Sequence, residues 1–351
     1  MGYTTVLDRS GAVTAAALLA EADTALAGDG FSSGLLVDQL MAEAGIVEPH
    51  VATLALDQAD GDLARACSLI RAWSAVLPRV AHCRVAWEDL VCRRRITPGF
   101  AEPAGGQYLG ASRDYAQRLL DLRPAPPHAP EPNGRTDGRV DGANGASAPA
   151  SFPRAAASLD AGGLVARPRQ ATPTDVTRVA AGPEDRGALL QLLSRAETGA
   201  LVALGYTGIR GNARQDPTLL ELRVGTLPVR VERPGGGTVT VGQVPAVLAE
   251  IAGYRLHGGQ TDRALTLGVG ATPGRLERRA VAAGVLDGAC ARAAQDPPGR
   301  REPCEDPEFL SIALDGQEAS GFVEHLKLPH HVTFTSELDR VRQSGAAEDE
   351  P

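Results

Sequence analysis

The densest reactive cluster in the 351-residue chain is His325-Leu326-Lys327-Leu328-Pro329-His330-His331, which holds three of its seven histidines. Proline disfavours helical torsions in the residue before it, so Pro329 predicts an extended, bent segment in which His325 and His330 converge on one point. Neutral imidazoles so placed are transition-metal ligands, and two of them leave positions for ligands from elsewhere in the fold or from a partner. The bland alternative is a surface loop whose histidines carry no chemistry. Lys327 is the single lysine; every other basic residue is an arginine. In so arginine-rich a background a replaceable lysine would drift to arginine. A compact ammonium that can lose its proton on desolvation would not.

Three further constellations could hold anions. Thr266-Leu267-Gly268-Val269-Gly270-Ala271-Thr272-Pro273-Gly274 leads into Arg275, Glu277, Arg278 and Arg279 at the start of an apolar helix. Glycines admit close approach of backbone amides, and a helix N-terminus with arginines adds positive potential. The segment is neither a P-loop nor a dinucleotide fingerprint, and an ordinary strand-to-helix turn would read the same way. Arg210-Gly211-Asn212-Ala213-Arg214, with Arg223 downstream, is a basic turn suited to a polyphosphate or carboxylate. Gly105-Gly106-Gln107 precedes Asp114-Tyr115 and Arg118, a pattern that fits a turn and a solvated helix face equally well.

These residues need a scaffold. Helical periodicity predicts an early helix over 12–20, then helices over about 36–44, 49–59 and 62–77, the last with Leu63, Ala66, Cys67, Ile70 and Trp73 on one face. Asp57, Asp60 and Asp62 lack the closing Glu of a calcium loop, so the expectation is a helix N-cap at Asp60. Residues 124–153 contain almost no large apolar side chain and read as a flexible linker. Beyond it, 201–206, 220–224, 229–231 and 238–241 read as short strands, and 244–251 and 276–286 as helices. The resulting fold class is α+β: a helical N-terminal region, 1–123, packed on a mixed α/β C-terminal domain with short strands, 154–345, and a disordered tail, 346–351.

A net charge of −8 argues against a broad nucleic-acid or anionic-membrane footprint. Five cysteines without a CxxC pair give no disulfide framework and fit a reducing cytoplasm. No apolar run near the start is long enough to span a bilayer.

Taken together the segments resemble the PhnI family of carbon–phosphorus lyase core subunits. The tail Gly321-Phe-Val-Glu-His-Leu-Lys-Leu-Pro-His330, with Val332, Phe334 and Glu337-Leu338, is similar to that family's signature. So are Gly105-Gly-Gln-Tyr-Leu-Gly110, Asp114-Tyr115, Arg118-Leu-Leu-Asp121 and Asp175-Val-Thr-Arg178. In the glycine segment Val269, Pro273, Leu276 and Arg279 depart from the family pattern, marking a divergent member. The resemblance implies a subunit of α-D-ribose 1-methylphosphonate 5-triphosphate synthase, working with PhnJ, PhnG and PhnH and with the associated PhnL. The reaction displaces adenine from ATP with an alkylphosphonate, and the subunit alone has nucleosidase capability. It also implies that His325 and His330 hold a zinc shared with PhnJ, and that His325, Lys327 and His330 form the catalytic segment. Arg210, Arg214, Gly268, Gly270, Gly274, Glu277 and Arg278 are then the substrate-binding set. A freestanding zinc-dependent hydrolase and a non-catalytic scaffold for PhnJ are the alternatives. Excising residues 130–150 should leave the melting temperature nearly unchanged in a thermal unfolding scan; a drop of many degrees would show that the segment is packed.

Overall fold

A computed structural model of the chain describes residues 34–79, 83, 85–109, 152–166, 174–178, 182, 185–212, 216–233, 236–254, 256–257, 260–261, 264–295 and 299–348. The expected helix over 12–20 lies outside these residues, as does the linker up to residue 151. The predicted N-terminal helices are present as α1 (Gly34–Ala44), α2 (Pro49–Gln58) and α3 (Leu63–Ala75). Leu40, Met41, Ala52, Leu56, Ala66, Cys67 and Ile70 form their shared core. Trp73, expected on that face, is 45% exposed. The cap of α3 is Asp62, which accepts from Arg65 N at 3.0 Å. The expected cap, Asp60, instead takes the left-handed conformation of the tight turn, at φ 53°.

The centre of the molecule is a five-stranded sheet in the order β1-β3-β4-β7-β2. Its strands are β1 (Val91–Ile96), β2 (Val165–Ala166), β3 (Asp216–Glu232), β4 (Thr238–Tyr254) and β7 (Leu265–Pro273); two-residue strands β5 (Leu256–His257) and β6 (Gln260–Thr261) pair apart from it. All its pairings are antiparallel except β2 with β7. The fold is α+β, as expected, but the two central strands are long. Segments 220–224 and 229–231 are parts of β3, and 238–241 opens β4.

Two assignments are reversed. Residues 244–251, expected as a helix, lie within β4. Val247, Ala249 and Ile251 are buried on one face and Ala246, Leu248 and Glu250 on the other, so the strand has no polar side to betray its two-residue period. Residues 201–206, expected as a strand, lie in α6 (Thr198–Thr207), whose N-terminus is capped by Glu197 accepting from the Gly199 and Ala200 amides. An all-apolar run leaves helix and strand indistinguishable by pattern. The other helices are α4 (Ala157–Ala161), α5 (Arg186–Arg195), α7 (Glu277–Ala293), α8 (Pro307–Ala313), α9 (Gly316–His325) and α10 (His331–Glu348). The last continues to Glu348, into the stretch expected to be a tail.

Helix α7 lies across β7 and β4 at unusually short range. A Cβ on Gly268 would stand 2.0 Å from the Gly284 carbonyl oxygen, and one on Gly270 would stand 1.8 Å from that of Ala280. Ala280, Gly284 and Gly288, four residues apart, form the matching small stripe on α7. Both contacts are to backbone, which no rotamer change can relieve. Gly270→Ala should therefore destabilise the chain by at least about 1–3 kcal/mol in urea unfolding. Gly242→Ala, in open space on β4, should be nearly neutral.

Candidate functional site

The glycines at 268 and 270 are thus strand residues spaced for helix packing, which corrects their reading as an anion-cradling loop. Gly274, at φ 87°, donates its amide to the Pro245 carbonyl at 2.8 Å and abuts Asp38 of α1. Arg275 pairs with Asp38 at 2.6 Å, and buried Glu277 with Arg94 at 2.9 Å. Arg279 is fully buried, donating to the carbonyls of Ser194 and Ala196 and to Thr198, with Glu43 at 3.7 Å. Burial lowers its pKa to about 10. Of the segment's cations only Arg275 and Arg278 reach solvent, Arg278 standing exposed on the first turn of α7. Arg210 is exposed in the π-helical turn Gly208–Asn212, which packs against α7. Arg214 lies outside the described residues.

The histidine–lysine cluster is a tight turn between two helices rather than an extended segment. Helix α9 ends at His325, the amides of Leu326, Lys327 and Leu328 bond back to Val323, Glu324 and His325, and α10 begins at His331. Pro329 stops the first helix and permits the second. The predicted convergence is present: the His325 and His330 rings lie 5.0 Å apart, edge to face. His330 Nε2 sits 3.1 Å from the His325 carbonyl, so a proton on Nε2 donates there and leaves Nδ1 as the ring's acceptor nitrogen. Among the described residues no group of three or more His, Cys, Asp or Glu side chains could hold a metal. The pair fits one half of a zinc site. Lys327 pairs with Glu324 in solvent. Around the cluster Phe322, Leu326, Val332 and Phe334 are each at least 67% exposed.

A third cluster escaped sequence reasoning. Glu221 of β3 and Glu250 of β4 are direct cross-strand partners, both fully buried. Arg95 of β1 reaches Glu221 at 2.5 Å, Arg223 approaches it at 2.9 Å, and Arg154 binds Glu250 at 3.0 Å. Arg95 also donates to the carbonyls of Ala104, Gly106 and Pro153, and Arg223 to those of Phe152 and Pro153. Trp87 lies under the guanidiniums of Arg154 and Arg223, 5.7 and 5.8 Å from its ring centre. Burial pushes the Glu250 carboxyl up, with Arg154 opposing it. Arg223 therefore belongs to a buried lattice and not to the basic turn. Gly105-Gly106-Gln107 belongs to it as well, since Gln107 accepts from the Thr97 amide at 2.9 Å. The signal was present as Glu221 and Arg223 two residues apart in an otherwise apolar run.

The described chain is thus an α+β body with a charged lattice inside its sheet and, at its C-terminal end, an exposed apolar turn carrying two adjacent histidines. The chain belongs to the PhnI family of bacterial phosphonate metabolism proteins, whose family model matches residues 9–348. It is 37% identical over 316 residues to HtxH of Stutzerimonas stutzeri, named as a C-P lyase subunit protein, covering 88% of this chain and 84% of that one. It is 34% identical over 317 residues to a protein of Escherichia coli (strain K12) named α-D-ribose 1-methylphosphonate 5-triphosphate synthase subunit PhnI, covering 88% and 86%. The protein of that name from Rhizobium meliloti (strain 1021) is 33% identical over 317 residues, covering 88% and 83%. Removing one member of the buried lattice strands the others: Glu221→Ala should cost about 3–5 kcal/mol in denaturant unfolding.

Proposed function

We propose that this chain is a subunit of α-D-ribose 1-methylphosphonate 5-triphosphate synthase within a cytoplasmic carbon–phosphorus lyase core complex, and that it takes part in displacing adenine from ATP with an alkylphosphonate. The observation that carries this reading is the turn between α9 and α10, which retains the family's histidine–lysine signature and holds it on an exposed apolar surface. PhnJ is the partner for that surface, with PhnG and PhnH completing the core and PhnL associated. The same displacement with water in place of phosphonate gives the nucleosidase activity of the chain alone.

Breaking the C–N bond develops positive charge on the ribose while two anionic groups are held nearby. Exposed Arg210 and Arg278, with Arg214, are the donors for the triphosphate. His325 and His330 would hold a zinc ion whose remaining ligands come from PhnJ, and when bound it supplies a Lewis acid for an oxyanion. Lys327, on the turn between those histidines, neutralises a phosphonate or phosphate oxygen. A freestanding hydrolase needs a third ligand from this chain, and the described residues offer none beside the pair.

In the purified complex, His325→Ala and His330→Ala should each lose zinc by elemental analysis while circular dichroism is unchanged, because both side chains lie in solvent. Lys327→Arg should slow adenine release with zinc retained. Full activity in Lys327→Arg, together with full zinc in both histidine variants, would reject this reading. Adenine release from ATP by the full chain without partners separates a catalytic subunit from a scaffold.

A further inference from the structure

The Nε atoms of two half-buried arginines find no acceptor among the described residues. A cavity of about 930 Å³ is lined by the turn after α1, by α3 and α5, by residues 174–178 and by Asp315. Four arginines face it, Arg71, Arg79, Arg178 and Arg195, against the carboxylates of Asp175 and Asp315. Both carboxylates are already engaged. Asp315 caps α9 by accepting from the Gln317 and Glu318 amides and takes Arg71 Nη1 at 3.1 Å. Asp175 accepts from the amide and hydroxyl of Thr177, with Arg79 Nε at 3.9 Å. What is left over is the Nε of Arg71 and the Nε of Arg195, both buried and without an acceptor among the described residues.

The arrangement is held in place rather than adventitious. Arg195 lies against Gly45, where a Cβ would come within 2.5 Å of its Nε, and Gly45 itself has φ 73°. Residues 174–178 are pinned to α5 by Thr174 Oγ1 donating to Asp185 at 2.7 Å and the Val176 amide donating to Gln191 at 2.6 Å. That pinning sets Arg178 at the solvent-exposed rim. Burial lowers the Arg195 pKa, and the neighbouring Arg71 lowers it further. A guanidinium desolvated beside a like charge is unfavourable until an anion joins it.

We propose that this cavity binds the phosphate groups of a small molecule, with Arg71 and Arg195 as inner donors and Arg79 and Arg178 at the rim. Its volume falls within the range of small-molecule sites and exceeds what a single phosphate fills, which favours a polyphosphate or a phosphate ester. The site is separate from the histidine pair: Asp315 starts α9 and His325 ends it, about 15 Å further on at 1.5 Å per residue.

The full chain is titrated calorimetrically with inorganic phosphate, tripolyphosphate and ATP in turn. Saturable binding of tripolyphosphate, tighter than that of phosphate, is expected; equal affinity for ATP and tripolyphosphate assigns recognition to the phosphates alone, and tighter ATP adds the nucleoside. Arg195→Met and Arg178→Ala should each weaken binding roughly ten- to a hundredfold, the worth of a charge-assisted hydrogen bond. Arg195→Met should also raise the melting temperature of the ligand-free chain, whereas a purely structural arginine would lower it. No saturable binding at millimolar concentrations overturns the proposal. So does binding that survives both variants and is lost only in Arg278→Ala, which would place the anion at the first turn of α7 and leave the proposed function standing.

Discussion

Two carboxylates facing each other across the central strands, Glu221 and Glu250, dictate how one face of the sheet is built. Neither has access to water, and side by side they repel. Arg95, Arg154 and Arg223 answer them, and those arginines have donors to spare. The surplus goes to the carbonyls of 104, 106, 152 and 153. Charge neutralisation thereby fixes the course of chain segments that no regular element would hold. On the opposite face two glycines on β7 let the small stripe of α7 approach the strand backbone, and Asp287 of that helix accepts from the Val269 amide while pairing with Arg186. One layer is centred on a carboxylate pair and the other on the absence of side chains at two positions.

The N-terminal helices were legible because their apolar residues recur at helical steps and Gly45 and Pro49 punctuate them. The strand and helix at 244–251 and 201–206 were interchanged for a single reason: both runs are almost wholly apolar in sequence, so neither shows the polar face from which a period is read. The length of β3 and β4 was not legible from the short apolar runs, and Pro217, Pro228 and Pro245 lie inside the two strands. They are accommodated within the paired strands, with register shifts after Leu219 and Val229.

For the site, the approach of His325 to His330 was expected from the bend at Pro329 and is present, but through a turn between two helices instead of an extended segment. The glycine segment was misread because a glycine demanded by a neighbouring helix and one demanded by a phosphate leave the same letter. The arginines of the buried lattice were invisible for a compositional reason. Where nearly every cation is arginine, a buried ion-pair partner such as Arg95 looks no different from a solvated Arg342. Lys327 stood out only by being rare.

The turn between α9 and α10 also bears on how such a protein is handled. Phe322, Leu326, Val332 and Phe334 stand in water on a surface that none of the other described residues covers. Exposed apolar area of this kind is a site of unplanned association for as long as it stays uncovered. Four side chains thereby set a demand on the handling of the chain that is independent of any chemistry at the neighbouring histidines.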